Sequence, residues 1–365
     1  MNYMNINIMK DNILKEYTQK KNLFEKLSNK LEMLIDEFLK ENKTIIHQLS
    51  SRVKEERSLS NKIDNKEGKY QCLNDITDIV GIRIITYLDS DVDTIAEMIK
   101  KEFNIDVENS VDKRKLDNDV FGYRSLHYVA SFKEERCNLT EFKPFKDMKF
   151  EIQIRSILQH AWAEIEHDLG YKSAVSVPDN FIRSFNRLSA LLETADIEFD
   201  RLKKDLKSYE KRLPQLIENT PNDIEINQAS IISFANNSQV IKSAISIIQS
   251  ISNCAINNIT SSEILLKQLN FLDISTIGKL DIFLTSYQEK YLLFVKEYTM
   301  ESYNQEGCFP ISISMLTPLY YLCIYIALDK NVYDEMIKKT RTNNDNFALR
   351  SDIAFKSAYA KVNPQ

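Results

Sequence analysis

Between residues 9 and 50 the apolar side chains Leu14, Leu23, Leu27, Leu31, Leu34 and Phe38 recur at three- and four-residue steps, which predicts a long amphipathic helix over 9–50. The pattern changes at Ile79–Leu88, IVGIRIITYL, where a run of β-branched residues predicts a buried strand. Val92–Phe103 returns to helical spacing. Tyr123–Phe132 and Phe150–Arg155 read as further strands, Ser156–Leu169 as a helix, and Asp179 to Leu213 as a second long helix. The stretch LPQLIENTPNDIEI, with Pro214 and Pro221, interrupts that spacing and predicts a domain boundary. The pattern therefore predicts a domain of mixed strands and helices, α+β, over 1–215. An all-helical C-terminal domain over 229–365 follows, with no chemical motif.

Composition narrows the class without choosing a function. The chain has 365 residues, 43% of them hydrophobic and 28% charged, as in an ordinary globular protein of two domains. A formal charge of −5 argues against coating nucleic acid through bulk charge, though it leaves room for a local basic groove. The five cysteines, Cys72, Cys137, Cys254, Cys308 and Cys323, show no C-x-x-C spacing and predict free thiols in a reducing, cytoplasmic setting. MNYMNINIMKDNILKEY lacks the continuous apolar run of a signal peptide. Ile311 to Leu328 is the most apolar stretch, but Thr317 and Pro318 interrupt it and it is short for a bilayer, so a buried helix is expected and no membrane partner.

Several short constellations carry chemistry. In FEIQIR, strand alternation puts Phe150, Ile152 and Ile154 on one face and Glu151, Gln153 and Arg155 on the other. In FGYRSLHYV, Tyr123, Ser125 and His127 share a face after Gly122, a grouping that suits a nucleobase and its sugar as well as it suits a plain core. Asp75 and Asp78 precede the buried strand, where a carboxylate can hold Mg²⁺ or merely cap a turn. SRVKEERSLSNK sets Arg52, Lys54, Arg57 and Lys62 around Ser58, cations and a hydroxyl of the kind ATP phosphates need, among glutamates that equally fit a solvated face. No Walker loop and no G-x-G-x-x-G occurs. His160, Glu164 and His167 lie at i, i+4 and i+7, yet the chain has only four histidines, too few for a multi-histidine hydrolase centre.

Taken in order, these segments resemble the RelA/SpoT nucleotidyltransferase domain. The matching elements are Arg52, Lys54, Ser58 and Lys62; D-I-V-G-I-R from Asp78 to Arg83; G-Y-R-S-L-H from Gly122 to His127; E-I-Q-I-R at Glu151–Arg155; and QHAWAEIEHDLGYK from Gln159 to Lys172. The resemblance, which covers roughly 45–175 as the core of the domain, implies a nucleotidyltransferase-like fold with a mixed β-sheet flanked by helices. It implies a GTP diphosphokinase that needs ATP and Mg²⁺, moving pyrophosphate from ATP to the 3′-hydroxyl of GTP or GDP to make (p)ppGpp in the stringent response. It implies that Arg52 and Arg83 sandwich the adenine and that Lys54, Ser58 and Lys62 hold the phosphates. Asp78 and Glu151 would hold the metal, with Glu151 also a candidate base. Tyr123 would stack on the acceptor base, with His127, Gln153, Arg155 and His160 lining its pocket.

One departure bears on the acceptor. Many guanosine-using members have a lysine four residues before the stacking tyrosine, where this chain has Asp119; Lys113, Arg114 or Lys115 could take its place. Toxic small synthetases of the same family act on the 3′ CCA end of tRNA, which carries no 5′ di- or triphosphate. Arg201, Lys203, Lys204, Lys207, Lys211 and Arg212 could meet a tRNA backbone or simply face water. A third reading is an inactive nucleotide-binding sensor. For residues 229–365 the resemblance leaves open a regulatory protein or antitoxin as partner, and self-association.

Overall fold

The computed structural model describes residues 3–66, 68–114, 125–171, 179–257, 262–304, 312–340 and 346–364. The chain divides into two compact units, Met1–Lys203 and Lys204–Gln365.

The first unit opens with α1 (Tyr3–Glu41), whose inward stripe includes the fully buried Leu27, Leu31 and Ile35. The helix stops earlier than its spacing predicts. Lys43 adopts a left-handed φ of 52° and the Thr44 N–H bonds back to the Leu39 carbonyl, closing the helix end. QLSSRV is then free to become β1 (Gln48–Val53), a strand whose first three residues fall where helix was predicted. There follow α2 (Glu56–Asn65), β2 (Val80–Thr86), α3 (Asp89–Glu102), β3 (Phe103–Asp112), β4 (Leu126–Phe132), the single turn α4 (Glu134–Cys137), β5 (Phe150–Ser156), α5 (Ile157–Tyr171) and α6 (Asp179–Asn219). The strands form one mixed sheet in the order β1-β2-β5-β4-β3, with β2 and β5 parallel and the other neighbours antiparallel.

The register assigns the faces. Leu49, Val53, Ile82, Ile84, Ile152, Ile154, Tyr128 and Ala130 belong to the face that joins the core under α1 and α3. Fully burying an aliphatic side chain of this kind is worth roughly 1.5–3 kcal/mol, an upper figure that makes the face's orientation secure. A one-residue slip would expose the whole set, so the register is fixed by this face. The opposite face is thereby obliged to present Arg52, Arg83, Glu151, Gln153, Arg155 and His127.

The division between units falls inside α6, which runs through Pro214 to Asn219 rather than breaking there. Leu213 is buried and Leu216 and Ile217 pack on the C-terminal core, contacts that outweigh the single N–H lost at the proline. The second unit holds α7 (Gln228–Asn237), α8 (Gln239–Ser252), β6 (Ala255–Asn257), α9 (Glu263–Phe271), α10 (Ile277–Ser286), α11 (Gln288–Asn304), β7 (Ser312–Ser314), α12 (Thr317–Asp329), α13 (Tyr333–Thr340) and α14 (Asn346–Val362). It is not all-helical as the sequence predicts: β6 and β7 form a short parallel pair, a ladder too brief to leave a period-two signal. Helix α12 is buried almost all round, which explains its unbroken apolar run. Among the described residues no helix is long and apolar enough to cross a membrane.

Candidate active site

The polar face is organised in rows. Arg52 pairs with Gly81 and Gly81 with Glu151; Arg83 pairs with Gln153 and Gln153 with His127. Residues paired across a sheet point to the same side, so these groups face one space. Gly81 matters for what it leaves open. The Arg52 side chain crosses above it, its Cγ and Nε 3.8 Å from where a Cβ would stand. Arg52 is thus drawn over β2 in line with Arg83, two residues further along. Two residues of strand span about 6.7 Å, close to two stacking contacts of roughly 3.5 Å each. Arginines at strand positions this far apart are of the kind that can take a planar ring between their guanidinium groups.

Asp78 lies just before β2, beside the cationic run. Its Oδ2 takes Lys54 at 3.0 Å from the loop before α2 and Lys62 at 2.6 Å from α2 itself. Burial alone would raise this carboxyl's pKa, but the charges and hydrogen bonds of Lys54 and Lys62 outweigh it and hold Asp78 below the ordinary value. Its Oδ1 is buried and has no hydrogen-bond partner. Ser58 is exposed on α2, one turn before Lys62. Asp75 plays a different part: its carboxylate accepts the backbone N–H groups of Gln71 and Cys72 at 2.7 and 3.0 Å, a turn cap.

Glu151 is fixed from two sides. His127 Nδ1 lies 2.9 Å from Oε1, and Gln153 Nε2 donates to Oε2 at 2.8 Å. Burial again pushes upward, and the His127 contact and the Gln153 amide more than offset it, while the nearby charge of Asp78 opposes ionisation. Glu151 is therefore held ionised and Asp78 is close enough for their charges to interact. The other ring nitrogen of His127 lies 2.5 Å from Ser125 Oγ. Serine, histidine and glutamate in series look like a hydrolytic relay, but Ser125 is 0% exposed and no substrate can reach its hydroxyl. The hydroxyl orients the imidazole.

Further along this face, one oxygen gathers three groups. Glu164 Oε1 on α5 lies 3.3 Å from Arg83 Nη1, 3.4 Å from Arg155 Nη2 and 3.6 Å from His160 Nδ1. Burial, Arg155 and Arg83 lower the His160 pKa, with Glu164 pulling the other way. The spacing of His160 and Glu164 is visible in the sequence, but that two strand arginines meet Glu164 depends on the β2–β5 pairing. Lys113 is exposed just past β3, its N–H bonded to the Ser125 carbonyl. Arg114 is paired with Asp112 at 3.0 Å and with Asp93 at 2.7 Å. Tyr123, Gly122, Asp119 and Lys115 lie outside the described residues.

Residues 51–176 match the family model of a region found in RelA / SpoT proteins. This stretch is a RelA/SpoT region. Two curated proteins of Bacillus subtilis (strain 168) are similar to it. GTP pyrophosphokinase YjbM is 28% identical over 166 residues, 44% of this chain and 74% of YjbM. GTP pyrophosphokinase YwaC is 28% identical over 164 residues, 44% of this chain and 75% of YwaC. Among solved structures, the small alarmone synthetase 1 from Bacillus subtilis aligns with a TM-score of 0.46 at 23% identity, over 53% of this chain and 98% of its own. The RelA/SpoT region starts inside β1 and closes beyond α5, so every group described above lies within it, while Lys204–Gln365 lies outside.

Proposed function

We propose that the RelA/SpoT region transfers the β,γ-pyrophosphate of ATP to the 3′-hydroxyl of GTP or GDP, yielding (p)ppGpp and AMP. The observation that carries this reading is Asp78, a half-buried carboxylate shared by Lys54 and Lys62, with one oxygen unbonded and Glu151 nearby. The slot between Arg52 and Arg83 takes the adenine, which lays the polyphosphate toward the two lysines and Ser58. The names of YjbM and YwaC support the guanosine acceptor.

The residues present fit Mg²⁺. Among the described residues no group of three or more metal-binding side chains occurs. Asp78 and Glu151 offer two hard oxygen donors, the number this ion takes from protein when phosphates and waters fill its other positions. Bound there, it would neutralise charge on the β- and γ-phosphates. As a phosphate group enters, Lys54 and Lys62 exchange Asp78 for phosphate oxygens. The acceptor's 3′-oxygen attacks the β-phosphorus, the bond from that phosphorus to the bridging oxygen breaks, and AMP leaves with the electron pair. The 3′-hydroxyl proton passes to the Glu151–His127 pair. A carboxylate held below its usual pKa is a modest base, so positioning and charge neutralisation supply most of the acceleration.

A second reading, transfer to the 3′ end of tRNA, is favoured by one observation. Arg114 is locked by Asp112 and Asp93, which removes a cation from the side where a GDP or GTP acceptor would bring its own phosphates. Incubation with γ-³²P-labelled ATP and, separately, GDP, GTP and deacylated tRNA separates the readings. Label in guanosine nucleotide supports the first and label in tRNA the second. Label in neither, with ATP still bound, leaves an inactive nucleotide sensor.

A further inference from the structure

We infer that Glu164 is a positioning residue whose single carboxylate oxygen bridges the guanidinium groups of Arg83 and Arg155 and so fixes the Arg83 plane as one wall of the adenine slot. The inference rests on the slot reading above. Arg83 on β2 and Arg155 on β5 project to the same side of adjacent parallel strands, where Ile85 pairs with Arg155. Two cations placed this closely repel, and a common counter-ion lets them lie side by side. Glu164 Oε1 provides it at 3.3 and 3.4 Å.

The carboxylate is itself well placed. Helix α5 follows β5 directly, and its first turn is held by Ser156, whose hydroxyl donates to Asp196 at 2.8 Å and accepts the Gln159 N–H at 3.2 Å. Glu164 stands about two turns further on. A merely structural strut would be expected to be buried and to matter for folding. Glu164 is 55% exposed and meets each partner through one oxygen, the geometry in which an ion pair adds little stability. What it controls is orientation: a guanidinium stacks only through its face, and the face follows the direction of its N–H bonds.

The test is calorimetric titration of the full chain with ATP in Mg²⁺ buffer, beside thermal melting. Glu164→Gln keeps the shape and removes the charge. It should weaken ATP binding about tenfold with an unchanged melting midpoint, and the loss should vanish when Arg83 is already Gln, because the two act as one unit. Arg83→Lys, which keeps charge without a planar face, should behave as Arg83→Gln does. ATP binding by Glu164→Gln equal to wild type, additive losses in the double variant, or a large fall in the melting midpoint would each overturn the inference. A wild-type chain that takes up no ATP would instead bring down the slot reading itself, a distinguishable result.

Discussion

The two units bury polar chemistry in opposite ways. In the first, one sheet face carries Glu151, Gln153, His127, Arg83 and Arg155, with Asp78 just before it, and each is paired with another polar group: Glu151 with His127 and Gln153, Asp78 with Lys54 and Lys62, and both arginines with Glu164. In the second, the core is aliphatic and aromatic, and its buried tyrosines use their hydroxyls locally: Tyr291 donates to the Pro318 carbonyl at 2.7 Å, and Asp329 at the rim takes Tyr287 and Tyr359 at 2.8 and 3.0 Å. Burial pushes the Tyr287 and Tyr359 hydroxyls up to about 12, and the bonds to Asp329 push the same way. Desolvating charge is costly, so a set of charges kept half-buried on one face points to a ligand that needs them. The second unit shows no such set among its described residues.

The contrast is broken most strongly by emptying the aromatic core. Phe355 is 2% exposed and stacks on Tyr298 with ring centroids 3.9 Å apart. Phe355→Ala should cost about 3–5 kcal/mol in denaturant unfolding of the second unit. A loss below about 1 kcal/mol would mean that this core is not packed as described. At the site the largest effect is chemical. Glu151→Gln preserves shape and should lower turnover roughly 100-fold or more, about 2.7 kcal/mol, while ATP binding is largely retained. Unchanged turnover would remove Glu151 from the reaction.

How much of this was legible in the sequence follows from where each signal is local. β2, β4 and β5 announce themselves because interior strands are apolar on at least one face; β1 and β3 are edges, and NIDVENSVD has too many polar residues to read as a strand. The residues of the polar face were legible as ordered motifs. Their grouping was not, because the row Arg83–Gln153–His127 exists only through pairing between segments up to 70 residues apart. Glu164 was visible as a neighbour of His160 and missed as the counter-ion of Arg83. Arg114 was read as an available cation, and only the structure shows that Asp93, on α3, occupies it.

Acid should sharpen the comparison next. Asp78 has its folded pKa below the ordinary 3.8, so the unfolded chain binds more protons as pH drops. Its stabilising contribution is present above that value and is lost as pH falls through the folded pKa. Asp78→Asn leaves Lys54 and Lys62, 15% and 24% exposed, without their counter-charge, and should cost roughly 1–3 kcal/mol at neutral pH. The gap to wild type should close below pH 3.8. A gap that stays constant down to strong acid would show that the lysines do not depend on the ionised carboxyl.

The smallest effect expected runs in the favourable direction and tests the other half of the contrast. Gln268 on α9 is 0% exposed, and neither its amide oxygen nor its nitrogen has a partner. A buried polar group with nothing to bond forfeits its hydration without return, so an apolar residue of similar volume should do better there. Gln268→Leu should therefore raise the unfolding free energy of the second unit by about 1 kcal/mol, read from the denaturant midpoint at unchanged slope. A loss of stability would mean that the amide has a use in this otherwise dry core, and the distinction drawn between the two units would then hold for charges but not for polar groups in general.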